Sequence, residues 1–245
     1  MVINMKTAVI TGASRGIGYA CALKLAGMGY NIAVNCHKNS CLLDKLEEET
    51  RKYNIKCIKH TGDIGIYENA SSFFKSIEHG LGLPDVLINN AGISYIGLLQ
   101  DMSPRDWDYI LRVNLTSVFN CSRLVIPMML KRKSGKIINI SSVWGCTGAS
   151  AEVAYSAAKG GVNAFTKALA KELAPSNIQV NAIACGIIDT EMNSSFSEEE
   201  IEAIKEEIPA CRLGTPGEVA GLACQLAESS SYLTGQVIKL DGGWS

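Results

Sequence analysis

The feature that most constrains this 245-residue chain is the passage from an apolar run at 6–10 into the turn TGASRGIG at 11–18. A helical stripe begins inside that turn, with Ile17, Ala20, Leu23 and Leu25 among its apolar positions. Strand, glycine-rich turn and helix in this order let backbone N–H groups and a helix N-terminus hold a pyrophosphate. Gly12, Ser14, Arg15, Gly16, Ile17 and Gly18 are therefore candidate cofactor-binding residues. The spacing is Gly-x-x-x-Gly-x-Gly, not the commoner Gly-x-Gly-x-x-Gly, and a glycine cluster alone is also what a tight structural turn needs. Its position directly after the first strand favours the phosphate reading.

The alternation begun there runs to the end of the chain. Apolar runs at 31–35, 55–58, 85–88, 136–140, 177–183 and 236–240 read as further strands. Helical patterns at 42–53, 67–79, 104–110 and 115–131, then from 155 and from Pro216, separate them. Seven strands alternating with helices predict an α/β fold, one parallel sheet covered on both faces. Neither a repeat nor a linker interrupts it, so 1–245 is expected to be a single domain. Ser197 with Glu200 reads as a capping box opening a short acidic helix that ends before Pro209.

Composition narrows the function classes. Hydrophobic residues at 47% are enough for a sizeable core, and a net charge of −1 predicts neither a nucleic-acid nor an anionic-membrane partner. No run approaches the ~18 apolar residues of a membrane span. The first dozen residues are too short for a signal h-region with its cleavage site and make sense as a strand. Nine cysteines without any Cys-x-x-Cys read as reduced core thiols of a cytoplasmic protein. Cys36, His37, Cys41, Cys57 and His60 form a loose cluster whose spacings match no standard zinc pattern, so no metal is expected.

The chemistry concentrates at 141–159, SSVWGCTGASAEVAYSAAK. Tyr155 and Lys159 are four residues apart at the start of a helical pattern, so the phenol and the ammonium share one face. A phenol titrates near ~10, and a fixed positive charge beside it favours the phenolate. Ser142 follows the fifth strand, where a hydroxyl can face the start of the next helix. Asn89-Asn90-Ala91-Gly92 stands where the fourth strand should end at a ligand crevice, and Asn114 lies between two helical patterns. Tyr-x-x-x-Lys alone is a weak signal that recurs by chance in helices.

TGASRGIG at 11–18, Asp63-Ile64, NNAG at 89–92, Asn114, Ser142, YSAAK at 155–159 and Gly186-Ile-Ile-Asp-Thr190, taken in this order, resemble the single-domain branch of the short-chain dehydrogenase/reductase family. The resemblance covers nearly the whole chain. It implies a Rossmann-type doubly wound sandwich with a seven-stranded parallel sheet. It also implies that Tyr155 is the general acid protonating a carbonyl oxygen, that Lys159 tunes it and holds the nicotinamide ribose, and that Ser142 orients the carbonyl. Asn114 would hold a water linking Lys159 to solvent. Asp63 and Ile64 would border the adenine, Asn90, Ala91 and Gly92 the adjoining ribose, and Gly186, Ile188 and Thr190 the nicotinamide end. The segment 191–214 resembles the family's substrate lid. Family members are commonly homotetramers that pair the helices before the fifth strand and after Ser142. The small residues Ala157, Ala158, Gly160, Gly161 and Ala164 suit that, or packing within one chain.

Charge argues for NADP(H). The end of the second strand, 34–38, lacks the acid that binds a free 2′-hydroxyl, while Arg15 and His37 or Lys38 suit a 2′-phosphate. The family's usual Pro-Gly is replaced by Cys185-Gly186, which loosens the loop or places a buried, inert thiol there. Overall the chain is most similar to bacterial 3-oxoacyl-[acyl-carrier-protein] reductases, with carrier-bound ketones as the expected substrate. Ser142, Trp144, Glu152 and Tyr155 are the candidate substrate contacts. Ser176-Asn177 stands where such reductases often carry an Arg for the carrier, and Glu152 suits an amine-bearing ketone instead. The related reductases of the 5-aminopentanone modification on elongation factor P are therefore the second expectation. A non-catalytic dinucleotide-binding sensor is the third, although such proteins commonly lose the Tyr, Lys or Ser that are all present here.

Overall fold

The computed structural model describes residues 5–194 and 196–245. β1 (Thr7–Ile10), β2 (Asn31–Cys36), β3 (Cys57–Thr61), β4 (Val86–Asn89), β5 (Gly135–Ser142), β6 (Ile178–Cys185) and β7 (Val237–Leu240) form one sheet in the order β3-β2-β1-β4-β5-β6-β7. Every neighbouring pair is parallel. The order reverses between β1 and β4, so a crevice opens at the carboxyl ends of these strands. The single parallel sheet is the one expected from the alternation, and its order is that of the doubly wound sandwich the resemblance implies.

Period two along the strands divides the core. Ala8 and Ile10 on β1, with Ile32 and Val34 on β2, face α1 (Gly16–Gly27), α2 (Ser40–Thr50) and α9 (Pro216–Ala227), where Leu25, Leu46 and Val219 are buried. Val9, Ala33, Leu87 and Ile137 face the opposite way, against Phe73 of α3 (Tyr67–Gly80), Val125 and Met129 of α5 (Ser117–Arg132) and Leu169 of α7 (Val153–Leu173). Both faces of the sheet are thus dry, as a parallel sheet requires.

Two segments depart from the sequence expectation. β3 begins two residues later than the apolar run at 55–58 and extends into Lys59, His60 and Thr61. Its register is set by β2, with Ile32 opposite Cys57 and Cys36 opposite Thr61. As an edge strand it is half-open to water and accepts polar residues. The two helices expected on either side of Asn114 are α4 (Pro104–Leu111) and α5, joined without a break by a π-helical turn over Arg112–Thr116. The combined helix is long and apolar enough by composition to cross a membrane, yet half of that stretch is buried inside the fold. The capping box of α8 (Glu198–Glu207) is present as expected, with Ser197 and Glu200 bonding each other's backbone N–H.

A buried polar ladder fixes α7 over the sheet. Asn89 Nδ2 donates to Asn139 Oδ1 (2.8 Å), and Asn139 Nδ2 donates to Thr166 Oγ1 on α7 (2.8 Å). One turn nearer the crevice, Ser141 Oγ donates to Asn163 Oδ1 at 2.7 Å. Paired polar groups in a dry layer hold one register, because a slip strands each of them without a partner.

Candidate active site

A cleft of about 1040 Å³ lies over the carboxyl ends of the strands. Of the candidate catalytic, cofactor-binding and substrate residues, all line it except Gly18 and Asn114. Gly18 acts from behind: a Cβ there would fall 2.4 Å from Asn90 Nδ2 and 2.5 Å from Gly12 O, so only glycine lets α1 start this close to the turn. Gly12 has φ +64° and lies against Ala91, with a Cβ placed 2.8 Å from Ala91 Cα. Asn90, expected at a ribose, lines the cleft, and its amide also clamps the turn, donating to Thr11 O (3.0 Å) and Gly12 O (2.9 Å).

This end of the cleft fits a dinucleotide. Helix α1 begins without a side-chain cap and without an acid in its first turn, so its first N–H groups are free to meet an anion. Asp63 is buried, with Oδ1 taking the Gly65 N–H at 2.8 Å, and Asn120 holds the carbonyls of Ile64 and Gly65. Arg15, His37 and Lys38 line the same end. Arg15 is paired with Glu191 across the mouth of the cleft, a contact the sequence did not suggest. Gly186, Ile188 and Thr190 lie along the loop after β6, where Gly186 N–H bonds Leu240 O at 3.0 Å. Cys185 beside them is buried, and burial pushes its thiol up to about 12, the state of an unreactive core cysteine.

The catalytic candidates converge on the end of β5. Ser142 closes the strand and accepts the Trp144 N–H at 3.1 Å through Oγ. Lys159 is only 4% exposed, far from an ordinary surface lysine, and its Nζ donates to Ile140 O at 2.9 Å. Burial lowers its pKa to about 8. Nζ lies 5.6 Å from the centre of the Tyr155 ring, so the shared helical face is realised. The phenol itself departs from expectation. Burial, with lesser effects from Cys185 and Glu152, pushes Tyr155 up, and the Ser142 hydroxyl eases it back. Desolvation outweighs the ammonium, whose bond goes to the Ile140 carbonyl. Asn114, in the π-turn, accepts Ile93 N–H (3.2 Å) and donates to Ile93 O (2.9 Å) and Ile110 O (3.0 Å). A Cβ on Gly92 would stand 2.8 Å from Asn114 Oδ1 and 3.6 Å from Lys159 Nζ, so the two groups flank one glycine.

The other wall was only partly visible in the sequence. Trp144 opens the short α6 (Trp144–Thr147), and its ring lies 4.8 Å from that of Trp244, tilted by 59°. Trp244 comes from beyond β7, a hundred residues away, and no local pattern announced it. Glu152 faces the same space, and burial pushes its carboxyl above the usual carboxylate range. Phe196, Ile204 and Glu207, from the 191–214 segment, complete the rim. Gly161, one of the small residues of α7, serves packing within the chain: a Cβ there would meet Leu115 Cδ2 at 2.9 Å.

Comparison with known proteins gives the family of the chain. A family model described as short chain dehydrogenase matches residues 6–201. The chain belongs to this family. As a short-chain dehydrogenase it is an oxidoreductase that works with a nicotinamide dinucleotide. It is 39% identical over 241 residues to an uncharacterized oxidoreductase, YmfI, of Bacillus subtilis (strain 168), covering 98% of each chain. It is 41% identical to the 3-oxoacyl-[acyl-carrier-protein] reductase FabG of Aquifex aeolicus (strain VF5), covering 97% of this chain and 96% of that one. The FabG of Staphylococcus aureus (strain Mu50 / ATCC 700699) is 38% identical over 97% of both.

Proposed function

We propose that this short-chain dehydrogenase is an NADPH-dependent carbonyl reductase whose substrate is a ketone carrying a positively charged amine. The observation behind the substrate reading is the half-buried Glu152 carboxylate in the wall between the two catalytic hydroxyls. A 3-oxoacyl thioester would leave that carboxylate desolvated with only the Trp144 side chain bonded to it and no countercharge, which costs free energy. An ammonium would pair it. The 5-aminopentanone modification on elongation factor P is a ketone of this kind.

The second reading is reduction of 3-oxoacyl-[acyl-carrier-protein] thioesters. It is favoured by the names of the FabG relatives, which align over nearly the full chain. Glu207 at the rim opposes it, since it offers an acidic carrier no complement.

In either case the chain's own groups divide the work. The Ser142 hydroxyl donates to the carbonyl oxygen and Tyr155 Oη delivers the proton to it. Burial keeps the phenol protonated until charge develops on that oxygen. Lys159, with a pKa near 8, accepts and returns protons close to neutral pH and steadies the phenolate left behind. Asn114 holds the backbone of Ile93 beside it. When bound, the reduced nicotinamide supplies the hydride to the carbonyl carbon. Preference for the phosphorylated cofactor is supported by Arg15, His37 and Lys38 and by the absence of an acid at 34–38. Nine unpaired cysteines support a reducing, cytoplasmic setting. Exposed Phe119 on α5 and Val153 on α7 lie on the two helices that would pair in a homotetramer.

The test compares acetoacetyl thioester with an amine-bearing ketone, each with NADPH and NADH. NADPH should give the higher kcat/KM, by roughly tenfold or more for a well-placed charge pair. Glu152→Gln should lower kcat/KM for the amino ketone about tenfold and leave the thioester unharmed. An unchanged amino-ketone rate returns the assignment to the thioester.

A further inference from the structure

The rim beyond β7 carries an aromatic side chain that the reaction itself does not need. Trp244 sits on a turn that the chain has fixed in place. Gly242 and Gly243 both have positive φ, +67° and +88°, which sends the chain back toward the cleft. Asp241 gathers the turn, accepting Gly243 N–H at 3.0 Å through Oδ1 and the N–H and hydroxyl of Ser245 at 3.0 and 2.8 Å through Oδ2. Ala210 N–H bonds Gly242 O at 3.1 Å, which ties the turn to the segment just after α8. The indole that results meets Trp144 at 4.8 Å and 59°, so the two rings form an angled corner. Both rings and Glu152 line the cleft.

Two readings of this corner differ in chemistry. An aromatic pair alone suits any apolar chain. An aromatic pair with a carboxylate suits a cation, because the faces of the rings carry negative quadrupole density and the carboxylate supplies the countercharge. The cationic side chains of the cleft are elsewhere: Arg15, His37 and Lys38 at the dinucleotide end, and Lys159 beneath the catalytic tyrosine. Among the described residues, nothing basic competes for Glu152 on the substrate side.

We propose that Trp244 is a specificity-determining residue: with Trp144 and Glu152 it forms a corner that selects ketones bearing a positively charged end. The inference rests on the amine-ketone reading above and names the residue through which the selection is made. It predicts that selection depends on charge at fixed shape. Trp144 and Glu152 come from the loop between the catalytic hydroxyls, whereas Trp244 comes from a different part of the chain, so its contribution can be removed without changing the sequence of that loop.

The experiment uses two ketones of the same shape, 5-(trimethylammonio)pentan-2-one and the neutral 6,6-dimethylheptan-2-one, reduced with NADPH. The quaternary nitrogen neither titrates nor cyclises onto the ketone. The readout is the ratio of the two kcat/KM values on one preparation, which cancels any difference in the folded fraction between variants. Wild type should favour the cation by about 30-fold, the scale of a desolvated cation–π contact. Trp244→Leu should bring the ratio below about 5, and Trp244→Phe should keep most of it. Calorimetric binding of pentyltrimethylammonium, a cation that is not reduced, should weaken in Trp244→Leu by a similar factor. A wild-type ratio near one would overturn the amine-ketone reading and this proposal with it. A large wild-type ratio that survives unchanged in Trp244→Leu would overturn the role of Trp244 alone and leave the reading standing.

Discussion

The floor and the rim of the cleft are built in opposite ways. The floor is the dry end of β5 and the first turns of α7, where Ser142 and Lys159 are buried and Asn139, Thr166, Ser141 and Asn163 bond one another. The rim is α8 and its flanks. That helix has no buried residue, and acids fill its first turn. The difference separates two tasks. Placing a proton donor to within tenths of an ångström needs groups held from several elements at once. Choosing a substrate needs only charge and shape at the entrance, which surface side chains supply and can change without disturbing the sheet.

The largest expected effect tests the floor directly. Tyr155→Phe removes the proton donor and should lower kcat by about 10³-fold, with dinucleotide binding retained by fluorescence titration. Intact turnover would break the assignment of the floor.

Lys159→Met should sharpen the contrast, because here function and stability oppose each other. The lysine binds its proton less tightly in the folded chain, with a pKa of about 8, than in the unfolded chain, where it is 10.5. Between these two pH values the unfolded chain holds more protons, so stability rises with pH through that window. The burial cost is fully present below about 8 and is gone above the unfolded value. Lys159→Met should therefore be nearly inactive yet more stable at pH 7, by about 3 kcal/mol, with the gain vanishing above pH 10.5 in denaturant titrations. A gain that persists at high pH would point to packing, not charge.

Asn139→Ala should cost roughly 2 kcal/mol in the same titrations, since it leaves Asn89 and Thr166 without their partner in a dry layer. Ser197→Ala should have the smallest effect. Losing the cap should destabilise α8 by about 1 kcal/mol, visible as faster amide exchange in that helix and not in the global midpoint. A global shift from Ser197→Ala would erase the proposed independence of rim and floor.

The same contrast explains what the sequence disclosed. Motifs at the strand ends were legible because their chemistry admits few residue types at fixed spacing, as with Gly12, Gly18, Tyr155 and Lys159. The sheet followed from alternation alone. Features that depend on contacts distant in sequence were not legible. Trp244 meets Trp144 only after the chain has crossed two more strands, and the Arg15–Glu191 pair joins the first turn to the loop after β6. The start of β3 was misplaced because its register belongs to β2 and not to its own apolar run. Spacing shows which charge lies near Tyr155 but not how much water is lost around it, and burial pushes the phenol up.

The π-turn at Arg112–Thr116 carries one further consequence. Helix runs unbroken on both sides of it, so the turn amounts to one residue more than the hydrogen-bond ladder requires. Each residue of an α-helix advances about 100° around the axis. Without that residue the ladder would close as continuous α-helix, and Asn114, whose side chain bonds the backbone of both Ile93 and Ile110, would be turned to a new direction. For this chain, the count of residues between two helical segments sets where Asn114 points, and no single substitution can restore it.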